Sequence, residues 1–220
     1  MRVCQETIYP ALHLPARGGL RKQVQAALRT GSLRRRPRAL QRHARTLGAQ
    51  MLMISQRPAE VSDRAVPGHW EGDLILGAHN RSAIATLVER QTRFVMLCPR
   101  PGNHAAEVVT AALSEWMQRL PKLLRGSLTW DQGPEMAGHR RITIAADLPV
   151  YFCDSASPWQ RGSSENTNGL PLQYFPKGAD LSVHGPDDLE HVANLLNSRP
   201  RKTLGWDTPA RRMTDLLMTR

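Results

Sequence analysis

Thr129-Trp130-Asp131-Gln132-Gly133 and, further on, Ser157-Pro158-Trp159-Gln160-Arg161-Gly162-Ser163-Ser164-Glu165-Asn166-Thr167-Asn168-Gly169 bracket the stretch on which the reading of this chain turns. Leu128 and Trp130 alternate with Thr129 and Asp131, which is the period of a strand, and Gln132-Gly133 turns the chain directly after the acid. The second piece opens with the loop chemistry of Ser-Pro and Gly and passes into a polar segment that puts Glu165 about one turn inside an expected helix. A third acid lies upstream in His69-Trp70-Glu71-Gly72-Asp73-Leu74-Ile75-Leu76, a strand-like run. A buried, unpaired carboxylate costs several kcal/mol, so Asp73 needs either a cationic partner or a metal ion. Asp73, Asp131 and Glu165 together offer hard oxygen donors suited to Mg²⁺ or Mn²⁺, and no His/Cys cluster of the zinc type accompanies them.

The distribution of charge points the same way. The net charge is +11, and residues 1–58 hold twelve Lys/Arg against the single acid Glu6, whereas the two signs balance over residues 59–220. Arginine clustered without acids is the electrostatic signature of a polyanion partner, of which nucleic acid is the commonest, the plain alternative being a solvated basic tail. Arg34, Arg35, Arg36 and Arg38 would meet phosphates, which carry no sequence information. No apolar run approaches the roughly 18 residues of a membrane span, and the first residues begin no secretory signal. Cys4, Cys98 and Cys153 are too few and too scattered for a disulfide framework or a zinc motif, so reduced thiols are expected.

The two acids at 131 and 165, one in Trp-Asp-Gln-Gly and the other following Ser-Pro-Trp-Gln-Arg-Gly, resemble the Asp-Asp-Glu catalytic core of bacterial insertion-sequence transposases. The likeness is to the insertion sequence thirty family, a branch of the integrase and ribonuclease H-like superfamily. It implies an α/β fold with a mixed sheet flanked by helices, and metal-dependent DNA strand cleavage and strand transfer, with Asp73, Asp131 and Glu165 as catalytic metal ligands. It implies DNA partners in the form of element ends and target, a homo-oligomer that handles two ends at once, and a bacterial cytoplasmic protein associated with the nucleoid. Gln160 and Arg161 fall in what resembles the family's active-site loop, where Arg161 could clamp a phosphate and Gln160 contact a base or sugar. Lys177, Arg199, Arg201 and Lys202 read as further DNA contacts, although the last three end a helix, where the dipole favours cations in any case. His139 reads as an outer-shell group near Asp131 or as a plain surface histidine.

Along the chain, residues 1–58 form a basic arm with short helices and a linker, and residues 59–220 an integrase-type core. Strands are expected at 69–76, 83–89, 93–98, 127–131 and 149–153. Helices are expected at 104–120, with Ala105, Val108, Val109, Ala112, Leu113 and Trp116 on its apolar stripe, and near 134–140, 163–174 and 186–198. Three strands joined by short connections, then a helix, then strand-helix units is the ribonuclease H-like order. In the resembled family similar segments follow a helix-turn-helix region, and with Met1 where it is the chain reads as truncated at its front. Ser163-Ser164 and Pro171-Leu172 also depart from the family pattern, and Pro171 is expected to kink the helix that carries Glu165. A second reading therefore stands beside the enzyme: a non-catalytic DNA-binding remnant of a transposase.

Overall fold

The computed structural model describes residues 51–62, 65–100, 106–154, 160, 169–176 and 178–219. All of them lie within one unit, Arg42–Arg220. The strands are β1 (Leu52–Met53), β2 (His69–Leu76), β3 (Ala83–Glu89), β4 (Val95–Arg100), β5 (Ser127–Trp130) and β6 (Val150–Phe152). The helices are α1 (Ala59–Ser62), α2 (Ala106–Arg119), α3 (His139–Ala146), α4 (Pro186–Asn197) and α5 (Pro209–Met218). The strands form one sheet in the order β1-β6-β5-β2-β3-β4. β2, β3 and β4 are an antiparallel meander, while β5, β6 and β1 add in parallel on the other side of β2. This is the mixed sheet of a ribonuclease H-like fold.

Alternation along the strands divides the core in two. Trp70, Leu74, Ala85, Leu87, Leu128, Trp130, Val150 and Phe152 point to one face and pack with Val109, Leu113 and Met117 of α2, Ile142 and Ala146 of α3, and Met213 of α5. Ile75, Ile84, Val88, Val95 and Leu97 point to the other and pack under Leu189, Val192 and Leu196 of α4. The second cluster covers only the β3–β4 side of its face. Over the first part of β2 and over β5 and β6 that same face carries Glu71, Asp73, Thr129 and Tyr151 instead, a row of polar side chains set by the same period of two.

Several local expectations are corrected. Leu52–Met53, inside the stretch that composition assigns to the linker, is the edge strand of the sheet, pairing with Tyr151 and Phe152. The buried stripe of α2 is Val109, Thr110, Leu113, Ser114 and Met117: Val109 and Leu113 are buried as expected, whereas Val108 is exposed and Trp116 half-buried. Two hydroxyls are tolerated in that stripe because each bonds within its own helix, Thr110 Oγ1 donating to Ala106 O at 2.8 Å and Ser114 Oγ to Thr110 O at 2.6 Å. Pro171 opens a short 3₁₀ turn, Pro171–Gln173, at a position where its missing N–H costs nothing, while the stretch around Glu165 expected to be helical lies outside the described residues. Glycine at 68 is dictated by a left-handed φ of 91° at the turn into β2, where a Cβ would also lie 2.5 Å from Leu123 O.

β4 ends the sheet, and its first residue is held by a side chain. Asn197 Oδ1 accepts from Val95 N–H at 2.8 Å while Asn197 Nδ2 donates to Val95 O at 2.9 Å, so the amide completes the pairing a further strand would have made. The Asn197→Ala variant should lose about 1–3 kcal/mol of unfolding free energy by urea titration, because a buried N–H and C=O are left unsatisfied. Amide exchange at Val95 should accelerate with it, and an unchanged midpoint would mean that Asn197 does not hold this edge.

Candidate active site

The placement of the acids follows from strand register. β2 and β5 pair in parallel with Trp70 against Leu128 and Glu71 against Thr129. That pairing ends at Glu71 and Thr129; Asp73 lies two residues further along β2, and Asp131 directly follows Trp130, the last residue of β5. Two hydrogen bonds fix the end of β5 around Asp131: Cys153 N–H donates to Trp130 O at 3.0 Å, and Gln132 Nε2 donates to Cys153 O at 2.9 Å. Asp73 Oδ1 accepts the N–H of Leu74 at 2.9 Å, and Thr86, opposite it on β3, donates its hydroxyl to the Asp73 carbonyl at 3.2 Å.

On the face of β2 opposite Glu71 and Asp73 lies a notch. A Cβ at Gly72 would sit 2.0 Å from Trp130 Cζ3, so the indole occupies the space any side chain at 72 would need. The ring is held at its other end by Trp130 Nε1, which donates to Glu135 Oε1 at 3.1 Å. The sequence Glu71-Gly72-Asp73 thus alternates two acids on one face with a gap on the other, and that gap lets Trp130 lock β5 against β2.

One step along the same face is an ionic layer that sequence reasoning missed. Glu71 is fully buried, and Arg90 Nε donates to its Oε1 at 2.9 Å. Arg90 also reaches the carbonyl of Val61 in α1 and donates its backbone N–H to His69 O at 2.9 Å. Arg57 enters from the segment after β1, its Nη1 donating to Thr129 Oγ1 at 3.4 Å. Burial and the neighbouring Arg90 hold the Arg57 guanidinium below its ordinary value, and Glu71 partly offsets them. The cost of a buried acid that sequence assigned to Asp73 therefore falls on Glu71, and a cation answers it. The available signal is an arginine at the end of the β3 hairpin, where a long side chain can reach back across the sheet.

The other expected residues sort as follows. Glu165, Arg161 and Lys177, with Arg34, Arg35, Arg36 and Arg38, lie outside the described residues. Gln160 binds Asp154 at both ends of its amide, Nε2 donating to Asp154 Oδ2 at 2.7 Å and Oε1 accepting Asp154 N–H at 2.8 Å. Arg199 lies over the Tyr174 ring at 5.7 Å and donates to the Tyr174 hydroxyl and to Gln173 Oε1. Arg201 donates Nη2 to Leu196 O at 3.0 Å, and burial followed by the charge of Arg199 holds it below its ordinary value. Lys202 is exposed. His139 is neither a surface group nor a neighbour of Asp131, since it is buried on the opposite face, edge-on to Phe152 at 5.0 Å.

Asp73 on β2 and Asp131 just past the end of β5 offer hard carboxylate oxygens, the donor type that suits Mg²⁺ or Mn²⁺. Among the described residues there is no group of three His, Cys, Asp or Glu side chains that could hold a metal ion. Nor, among them, is any helix long and apolar enough to cross a membrane.

Comparison with known proteins finds a domain match and several relatives. Residues 63–158 match the integrase core domain, a span that holds Asp73 and Asp131. The transposase for insertion sequence element IS1086 of Cupriavidus metallidurans is 48% identical over 217 residues, covering 99% of this chain and 64% of the relative. The transposase InsI for insertion sequence element IS30A of Escherichia coli is 42% identical over 212 residues, covering 95% of this chain and 55% of the relative. The transposase for insertion sequence element IS4351 of Bacteroides fragilis is 37% identical over 164 residues, covering 74% and 50%. The chain therefore spans between half and two thirds of the length of these relatives.

The buried pair yields a double-mutant test. Arg90→Met leaves Glu71 charged and uncompensated, so chemical denaturation should show a loss of about 3–5 kcal/mol. The double variant Glu71→Met/Arg90→Met should recover most of that loss, and equal instability of single and double variants would mean that the pair is not what Arg90 stabilises.

Proposed function

The chain carries an integrase core domain, and we propose that it is the catalytic core of an insertion-sequence transposase, a phosphoryl-transfer enzyme acting on DNA. The observation that supports the reading is the parallel pairing of β2 with β5, with Asp73 two residues past the paired Glu71 and Asp131 directly after the end of β5, so that two hard carboxylates come from adjacent strands. Asp73 and Asp131, with Glu165 as the third, would hold Mg²⁺ or Mn²⁺. Bound there, divalent ions supply activation of an attacking oxygen and neutralisation of a leaving one in an in-line displacement at phosphorus. The chain's own residues do the positioning, which in this chemistry is most of the work. Gln132 and Trp130 fix the backbone on either side of Asp131, Thr86 holds that of Asp73, and the Glu71–Arg90 layer keeps β2 from yielding beneath them. Water would be the nucleophile in strand cleavage and a DNA 3′-hydroxyl in strand transfer. The basic arm would grip phosphates on either side of the cut, and a homo-oligomer would bring two ends together.

Three single variants, Asp73→Asn, Asp131→Asn and Glu165→Gln, should each reduce Mg²⁺-dependent nicking and joining of element-end DNA to background while circular dichroism stays unchanged. Retained activity removes that residue from the mechanism. Calorimetric titration with Mn²⁺ separates the enzyme from a non-catalytic DNA-binding remnant: the enzyme binds the ion and loses it in Asp131→Asn, whereas the remnant binds DNA without it. For the arm, changing Arg34, Arg35, Arg36 and Arg38 together to alanine should weaken binding equally on all DNA sequences. It should also make the plot of log affinity against log salt shallower by up to about 4, at roughly 0.9 for each phosphate no longer neutralised. A sequence-selective loss would overturn the phosphate assignment.

A further inference from the structure

The turn between α4 and α5 holds a large aromatic ring in water on a strained backbone. Trp206 is 69% exposed and has φ 72°, the left-handed region that a bulky side chain rarely adopts. Its conformation is imposed from both sides. Trp206 N–H donates to Arg201 O at 2.9 Å, Arg201 N–H donates to Asp207 O at 2.9 Å, and Gly205, also left-handed at φ 67°, precedes it. Asp207 Oδ1 accepts Thr208 N–H at 2.8 Å, and Thr208 caps α5 by accepting the N–H of Arg211. The turn is thus tied down at every residue except for its indole, whose large apolar surface stays in contact with solvent.

The surroundings are cationic. Residues 199–212 contain five Lys/Arg and one acid, Asp207. Arg211 and Arg212, with side chains 74% and 51% exposed, reach that acid at 4.0 and 3.2 Å, and Lys202 is exposed on the same turn. One carboxylate cannot neutralise three cations, so the ring stands in a field that attracts polyanions. Double-stranded DNA keeps its base faces stacked inside, whereas an unpaired base offers a free face to a rigid aromatic ring, with its phosphates available to nearby cations.

We propose that Trp206 is a stacking platform for an unpaired base of the DNA strand, with Lys202, Arg211 and Arg212 holding the adjoining phosphates. This rests on the reading of the chain as a DNA enzyme and adds to it a preference for DNA with single-stranded ends. A protein partner would also accept an exposed indole, but the excess of positive charge around it favours a nucleic acid strand.

Backbone strain makes a clean test available. Because φ at 206 suits glycine, Trp206→Gly deletes the ring while relieving strain, so the melting temperature of the full chain should stay the same or rise. Binding is measured at one salt concentration to a blunt duplex and to the same duplex carrying a single-stranded 3′ overhang. The wild type should bind the overhang form more tightly. Trp206→Gly should lose roughly 5- to 150-fold in affinity for that form, the range stacking energies give, with little change on the blunt one. Trp206→Phe should keep most of the preference. Three results overturn the proposal: an overhang preference that survives in Trp206→Gly, a lowered melting temperature that reveals a structural ring, or a change in oligomeric state without a change in DNA affinity. A wild-type chain that binds neither DNA sinks the functional reading itself, a distinct outcome from loss of the overhang preference alone.

Discussion

The parallel pairing of β2 with β5 is the constraint on which the rest of the molecule depends. Side chains alternate along a strand, so a slip of a single residue would turn Asp131 to the face that α2 and α3 cover and bring Trp130 onto the face of Asp73. The register is held by shape as much as by hydrogen bonds, since the indole of Trp130 occupies the only place where β2 has no side chain. Gly72 and Trp130 act as key and slot. The acids are set by that fit, and an apolar contact on one face of the sheet thereby decides where charge lies on the other.

Charge is managed in rows along this polar half-face. In the deeper row Glu71 is neutralised by Arg90, with Arg57 beside them, and none of these groups is free to move far from its partner. Asp73, further along β2, and Asp131, just past the end of β5, are less buried, and under the proposed function a divalent ion would lie between their carboxylates. Desolvation of the buried row is offset only by good geometry, which Arg90 supplies by bonding to both a carboxylate and a backbone carbonyl. This buried ion pair fixes β2 two residues before Asp73, a form of preorganisation suited to charge-driven chemistry.

Much of this is legible in the sequence, and the failures have physical causes. β2 and β3 are read to the residue because both are long and their turns carry clear punctuation, Pro67-Gly68 before one and Arg90-Gln91-Thr92 after the other. β1 is two residues long, too short to show any period, and is strand only because β6 offers an edge to pair with. The face of α2 is half caught from sequence: Val109 and Leu113 are expected and buried, whereas Thr110 and Ser114 count as polar in a pattern yet carry their hydroxyls inward on helix carbonyls. α5 escapes notice because its ten residues mix Arg212 and Asp215 with Met213 and Leu216. Arg199 and Arg201 are legible as cations but not as the partners of Tyr174 and Leu196, since nothing local in sequence announces a contact made across a turn.

The two-residue edge strand has a practical corollary. The matched integrase span begins at residue 63, which invites shortened versions of the chain that start there. Such a version would strip β1 from β6 and Arg57 from Thr129, leaving the main-chain groups of Tyr151 and Phe152 bare along a newly opened margin. Bare strand margins recruit other strands, and the shortened protein would trade a closed flank for a sticky one. A stable fragment of this molecule starts ahead of Leu52, because those few residues work as a selvedge that stops the sheet from fraying.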